Sequence, residues 1–247
     1  MEKEAAASTM AGKIIVALDV EKEKEAYELV NQLYPLLSYY KVGLRLFVAC
    51  GPRIIATLKE KGCRIFLDLK LHDIPHTVAA TAKVITSLGV DMFNIHLSGG
   101  GAMVRAAAEA AKDTAQKLGL GSPKLIGVTV LTSISERVLQ EEIGVKTSLQ
   151  EHVVNLSLLG KENGLSGVVA SPQEAEIIGK TCGDDFLIVT PGIRPQWSAP
   201  GDQQRILTPR RALEAGAHYL VIGRPILQHP SPREAAEKII AEMMGGQ

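Results

Sequence analysis

Residues 64–77 read RIFLDLKLHDIPHT, an apolar strand that turns into a cluster of charges within a few residues. In an extended strand alternate side chains share a face. Phe66, Asp68 and Lys70 are therefore expected to point one way, with the two charges roughly 7 Å apart, and Leu67 and Leu69 the other way. An acid and a base side by side on an inward face are costly to bury unless they pair with each other or serve a charged ligand. Asp73 and the turn-forming Pro75 follow at once, so the charges sit where a strand ends and a loop begins. The fixed φ of Pro75 suits the first turn of a helix, and Val78, Ala79, Ala82, Val84 and Ile85 recur at helical spacing up to Gly89. The stretch is one β-α unit with its polar groups at the junction.

The same unit recurs on both sides. Upstream, KIIVALD (13–19) and YYKVG (39–43) read as strands, each followed by an amphipathic pattern, the second of which runs from Leu44 to a helix stop at Gly62. Downstream, DMFNIHL (91–97) precedes an alanine-rich helix over 102–118. KLIGVTVLTS (124–133) leads through a polar excursion, in which 139–144 reads equally as a short helix or a loop, to a helix over 149–163. GVVAS (167–171), FLIVTPGIR (186–194) and HYLVIGR (218–224) complete eight strands, with helices at 174–182, 212–215 and 232–244. Short apolar runs separated by helices imply parallel pairing with both faces covered, and eight such units point to an α/β fold of the (β/α)8 TIM barrel type. An open, doubly wound sheet is the alternative, because periodicity does not show that strand eight closes on strand one. One catalytic domain is expected over 13–247, preceded by a flexible polar extension over 1–12.

Composition narrows the partners. A chain of 247 residues with 46% hydrophobic content can bury one sizeable core. Its 27 basic and 27 acidic residues cancel, which argues against sequence-independent nucleic-acid binding and against a basic membrane-surface protein, and leaves a small molecule as the expected ligand. Cys50, Cys63 and Cys182 are odd in number and lack CxxC spacing, so neither a disulfide framework nor a zinc site is expected. The first ten residues, MEKEAAASTM, lack the apolar core of a signal peptide, no apolar run is long enough to cross a bilayer, and a cytoplasmic location is expected.

In a barrel of this kind the active site lies at the C-terminal ends of the strands. Asp19 ends strand one, Lys41 lies near the end of strand two, and Asp68 and Lys70 end strand three. Thr132 and Ser133 end strand five, Arg194 follows strand seven, and Gly223 and Arg224 follow strand eight. A lone Asp or Lys among these reads better as an ion pair or a cap that tidies a strand end; five such ends together do not. The loops after strands seven and eight often hold a phosphate. Gly192 and Gly223 allow close backbone approach, Arg194 and Arg224 supply planar donors, and Gln203 adds a neutral donor from a long loop over 195–204 that would close as a lid. A phosphorylated substrate follows.

FLDLKLHDIPHT, with IIVALD upstream, YYKVG between them and TPGIR, GDQ and VIGRP downstream, resembles the orotidine 5'-monophosphate decarboxylase family in its bacterial form. The resemblance runs from about Lys13 to the last helix, and D-x-K-x-x-D-I-P is its most specific element. His76 departs from it, since bacterial relatives often carry Asn there; Trp197 looks individual and reads as a loop aromatic packed on its neighbours.

The resemblance implies decarboxylation of orotidine 5'-monophosphate to uridine 5'-monophosphate, the last step of de novo UMP synthesis, without metal or cofactor. It implies a homodimer with shared active sites, in which Lys41, Asp68 and Lys70 form an alternating charge array completed by Asp73 of the partner subunit. Asp19 and Lys41 would bind the ribose hydroxyls, and Thr77 would reach across the interface. Thr132 or Ser133 would meet the pyrimidine edge, and Arg194, Gln203, Gly223 and Arg224 would hold the 5'-phosphate. Lys70 would stabilise the C6 carbanion and protonate it.

Two rivals remain. A Mg-dependent sugar-phosphate decarboxylase or aldolase of the same superfamily would need an acidic ligand near the end of strand two, where this chain has Lys41. A silent nucleotide-binding barrel would keep Arg194 and Arg224 but need not keep Lys70 between two acids. His72 and His96 are not spaced as a metal pair, and the run 99–101 lacks the Lys-Ser/Thr of a phosphate-binding P-loop.

Overall fold

Eight parallel strands pair in chain order and close on themselves. They are β1 (Ile14–Ala17), β2 (Tyr39–Gly43), β3 (Arg64–Leu71), β4 (Met92–His96), β5 (Lys124–Val128), β6 (Gly167–Val169), β7 (Leu187–Thr190) and β8 (Tyr219–Ile222) in a computed structural model that describes residues 2–198 and 206–246. Closure is made by β1 on β8, with Ile14 beside Leu220, Ile15 beside Val221 and Val16 beside Ile222. That pairing settles the barrel against the open sheet.

Strand alternation divides the apolar residues into two bodies. Ile15, Ala17, Tyr39, Phe66, Met92, Ile126, Val189 and Val221 fill the barrel interior. Their neighbours of opposite parity, among them Val16, Tyr40, Leu67, Phe93, Ile188 and Leu220, join the larger core between the strands and the surrounding helices. Both strand faces are therefore dry, which is why the strands read as nearly unbroken apolar runs. Lys41, Asp68 and Asn94 come two residues after Tyr39, Phe66 and Met92 and stand on the same inward face, so a polar layer rests on an apolar plug.

The helices are α1 (Glu2–Ala11), α2 (Glu23–Leu33), α3 (Leu44–Cys50), α4 (Arg53–Glu60), α5 (Pro75–Ser87), α6 (Gly100–Leu118), α7 (Leu149–Glu162), α8 (Ala175–Cys182), α9 (Pro209–Glu214), α10 (Arg224–Leu227) and α11 (Pro232–Met243). The amphipathic pattern expected as one segment over 44–62 is two helices, because Gly51 takes φ 66° and Pro52 then starts a new one. The 139–144 ambiguity resolves into a short π-type turn, Val138–Glu142. β5 ends at Val128, so Thr132 and Ser133 stand on the following loop rather than at a strand end. The leading residues, expected as a flexible extension, instead form α1, an alanine-rich helix that lies on α11 with Ala7 and Met10 partly buried against the core and Ala11 buried. Among the described residues no helix is long and apolar enough to cross a membrane.

Candidate active site

Four side chains form a line of alternating charge across the C-terminal mouth of the barrel. Asp19 Oδ1 lies 3.0 Å from Lys41 Nζ, Lys41 Nζ lies 3.3 Å from Asp68 Oδ2, and Asp68 Oδ1 lies 2.6 Å from Lys70 Nζ. Lys41 and Asp68 are 11% exposed, Lys70 29% and Asp19 55%, so the line is buried at its middle and reaches toward the rim at both ends. Gly43 leaves room beside the first pair: a Cβ there would stand 2.9 Å from Lys41 Nζ and 3.6 Å from Asp19 Oδ1. Burial by itself raises the pKa of the Asp68 carboxyl, but the Lys41 and Lys70 ammoniums, with hydrogen bonds from Lys70 and Asn94, outweigh it and hold the pKa below the usual carboxylate value. For Lys41 burial works against the charge, and the Asp68 and Asp19 carboxylates outweigh it, raising its pKa. Lys41 and Asp68 thus each favour the charged form of the other.

β3 does not remain a regular strand as far as Lys70. Leu67 pairs with Phe93 but Leu71 pairs with Ile95, and within that irregularity Lys70 takes φ 53°, a left-handed conformation that costs a non-glycine residue about 1–2 kcal/mol. The Lys70 amide donates to Asn94 Oδ1 at 2.8 Å, and Asn94 Nδ2 donates to Asp68 Oδ1 at 2.7 Å. Beside them the His72 and His96 rings lie 5.5 Å apart and tilted, and burial, then His72 and Lys70, depress the His96 pKa.

The opposite rim is built by β7 and β8. Gly192 takes φ 81°, after which Ile193 bridges to Leu207 and the Arg194 amide donates to Leu207 O at 3.0 Å. Arg194 is buried, and its Nη1 donates to Ile193 O at 2.8 Å, which fixes the guanidinium against the wall. Gly223 lies so close to β1 that a Cβ there would touch Ala17 Cβ at 3.4 Å and Asp19 Oδ2 at 3.5 Å. One cavity is lined by Asp19, Lys41, Asp68, Lys70, Thr132, Gly192, Arg194, Gly223 and Arg224, with an apolar wall that includes Phe66, Val128, Val169 and Val221. A flat apolar ring, a polar sugar and an anion each have a matching surface there.

Three expected site residues are not on that lining. Ser133 is exposed on the loop after β5, while Asp73 and Thr77 stand on an exposed run over 72–77. Asp73 Oδ1 accepts the Ile74 amide at 2.6 Å. Gln203 and the lid residues 199–204 lie outside the described residues; before them Trp197 packs edge-on against His229 at 5.6 Å, as a loop aromatic resting on its neighbours. Asn94 and Gly43 belong to the site and were not singled out from the sequence. An amide at an inward position of an otherwise apolar strand was the signal for Asn94.

A sequence model of the Orotidine 5'-phosphate decarboxylase / HUMPS family matches residues 12–239. The chain is 53% identical over 232 residues to a protein named orotidine 5'-phosphate decarboxylase from Syntrophomonas wolfei subsp. wolfei, a match spanning 94% of this chain and 97% of that one. A relative of the same name from Moorella thermoacetica is 50% identical over 231 residues, 94% of this chain and 92% of its own. The crystal structure of orotidine 5'-phosphate decarboxylase from Lactobacillus acidophilus superposes with a TM-score of 0.84 at 38% identity, covering 94% of this chain and 99% of that one. The family match runs from the residues just before β1 into α11 and so includes every strand that carries the charge array; the chain belongs to the orotidine 5'-phosphate decarboxylase / HUMPS family.

Proposed function

We propose that this chain removes CO2 from C6 of orotidine 5'-monophosphate to give uridine 5'-monophosphate, the last step of de novo UMP synthesis, with Lys70 as the proton donor. The family and the names of its relatives support the reaction. The observation that supports the division of roles is the Asp19–Lys41–Asp68–Lys70 line, facing Arg194, Gly223 and Arg224 across one cavity.

Arg194, Arg224 and the Gly223 backbone bind the 5'-phosphate, Asp19 and Lys41 take the ribose hydroxyls, and the apolar wall receives the base. Thr132, which lines the cavity, meets the pyrimidine edge in preference to Ser133, which does not. Binding energy from the phosphate then holds C6 against Lys70. When the C6–carboxylate bond breaks, its electron pair stays at C6 in the ring plane, where the ring π system cannot absorb it. The Lys70 ammonium, aimed by Asp68 at 2.6 Å, offers compensating charge already in position and transfers a proton to C6 as CO2 leaves. Lys70 regains its proton from water.

The same reading makes the enzyme a cytoplasmic homodimer with shared sites. Asp73 of the partner subunit would supply Lys70 with a second acid, and the exposed 72–77 run, with Ile74 66% exposed, is suited to enter a neighbouring subunit. A Mg-dependent sugar-phosphate reaction fits the donor set poorly, because the Lys41 ammonium already bridges the Asp19 and Asp68 carboxylates that a divalent ion would need.

Ultraviolet absorbance of orotidine 5'-monophosphate, with UMP confirmed as product and EDTA present or absent, tests the proposal. Conversion indifferent to EDTA supports it. No conversion by folded protein moves the weight to sugar phosphates, and conversion lost with EDTA overturns the charge-array mechanism even with the substrate correct.

A further inference from the structure

Asn94 stands in β4 with 1% of its surface exposed, and both ends of its amide are engaged. The register explains why. Between the Leu67–Phe93 and Leu71–Ile95 pairs, β3 advances four residues while β4 advances two, so the extra residues of β3 bulge out of the ladder. Asn94 is the β4 residue opposite that bulge. Its Oδ1 gives the Lys70 amide the acceptor that the ladder no longer provides, at 2.8 Å, while its Nδ2 donates to Asp68 Oδ1 at 2.7 Å. A carboxylate offers acceptors alone and an apolar side chain neither, whereas the amide serves both partners from two separate atoms. The orientation of the amide follows from the same network, since its donor must face the carboxylate and its acceptor the N–H.

We propose that Asn94 is a positioning residue for the proton-donating lysine. It holds the Lys70 backbone in its left-handed turn and fixes the rotation of the Asp68 carboxylate, so that the ammonium crosses the barrel mouth toward Asp68 instead of following the pleat of β3. The inference rests on the decarboxylase reading for its reaction and on the β3–β4 register for its geometry. It assigns Asn94 no contact with substrate. Without the acceptor, the Lys70 amide is left unpaired inside the barrel, the turn opens, and the ammonium shifts away from C6.

The test compares the wild type, Asn94→Ala and Asn94→Asp. Asn94→Ala is expected to lower kcat about 100-fold while KM for orotidine 5'-monophosphate and the affinity for UMP change less than about threefold, because an ångström of misplacement acts on the chemical step and leaves the phosphate contacts alone. Equal losses in kcat and UMP affinity, or an unchanged kcat, overturn the proposal. If Asn94→Ala does not fold, Asn94→Asp decides. Its introduced carboxyl keeps the acceptor for the Lys70 amide and, once protonated, regains a donor for Asp68. Its kcat is therefore expected to climb toward wild type as the pH falls through a pKa raised by the adjacent Asp68 charge. A pH profile parallel to wild type overturns it.

Failure of the underlying reading is distinguishable. If wild type does not convert orotidine 5'-monophosphate, that reading falls, and a crystal structure of either variant judges the positioning role. Lys70 leaving positive φ supports it, and Lys70 and Asp68 unmoved overturn it.

Discussion

Lys41 Nζ and Asp68 Oδ2 face each other at 3.3 Å with 11% of each side chain exposed, and neither is the other's only counter-charge. Lys41 also meets Asp19, and Asp68 also meets Lys70, so each buried charge is held from two sides. In a line built this way, removal of Lys41 leaves Asp68 paired with Lys70, and removal of Lys70 leaves it paired with Lys41. The cost of placing charge inside a barrel is thereby spread over three contacts.

The first prediction follows from that redundancy. Lys41→Met removes one partner of Asp68 but leaves Lys70 and Asn94, so the loss of stability is expected at about 1–3 kcal/mol, below the 3–5 kcal/mol typical of a charge left wholly unpaired. Turnover should fall at least about 100-fold, since the proposed ribose contact and one cation of the array are lost together. Urea denaturation and the absorbance assay measure the two effects. A loss above 5 kcal/mol would show that Asp68 depends on Lys41 alone.

Lys70 carries its own strain, which gives a second prediction. At φ 53° a Cβ is unfavourable, so Lys70→Gly should be more stable than Lys70→Ala by about 1 kcal/mol, the reverse of the usual order. Both variants should be inactive and folded. The comparison is made by urea midpoints at constant pH. Lys70→Ala equal to or more stable than Lys70→Gly would mean that the left-handed turn is not held in solution, and near-normal turnover in either would remove Lys70 from its role.

The pH dependence of stability has a definite sign. Asp68 has a folded pKa below its unfolded value of about 3.9, so its contribution is present above that pH and is lost as pH falls through the folded value. Lys41 has a folded pKa above its unfolded value of about 10.4; its contribution is complete below that pH and is lost as pH rises through the folded value. Between about pH 5 and 9 the pair should contribute a constant amount. Asp68→Asn should therefore flatten the acid limb of the urea midpoint against pH and leave the neutral plateau level. An acid limb as steep as in wild type would contradict the assignment.

The proposed phosphate contact can be separated from the chemistry. If Arg224 holds the 5'-phosphate, Arg224→Ala removes charge-assisted contacts of about 1.5–3 kcal/mol, and KM for orotidine 5'-monophosphate should rise about 10–100-fold. The affinity for UMP should fall toward that for uridine, while uridine itself binds as before. Calorimetry on both ligands reads this out. Equal weakening for uridine would place Arg224 away from the phosphate.

Most of the barrel was legible because both strand faces are buried, which leaves eight apolar runs that periodicity can count. The charged core was legible because Asp68 and Lys70 break such a run at its end. What the sequence hid is what depends on register. The bulge that turns Lys70 to positive φ, and the amide opposite it, arise from a mismatch between β3 and β4 that neither strand records alone. Thr132 and Ser133 looked equivalent as neighbours, and only the early end of β5 sends one toward the cavity and the other outward. α1 was missed because a polar, small-residue segment carries no apolar stripe, and its anchor, α11, lies at the far end of the chain.

The exposed 72–77 run leads to the last prediction. Asp73 accepts its own loop's Ile74 amide and is off the cavity lining of its own chain, yet the proposed array needs a second acid beside Lys70. If that acid comes from the partner subunit, Asp73→Asn and Lys70→Ala proteins should each be inactive alone and active when mixed. A mixed dimer has one site with both lesions and one with neither. Random exchange at equal amounts makes half the dimers mixed, so about a quarter of wild-type activity should return. Subunit exchange is followed by mass spectrometry of the native complex while the absorbance assay runs. Exchange without recovery would put both residues in the same site of one chain and remove the shared site; recovery near a quarter could arise only if Asp73 and Lys70 act across the interface.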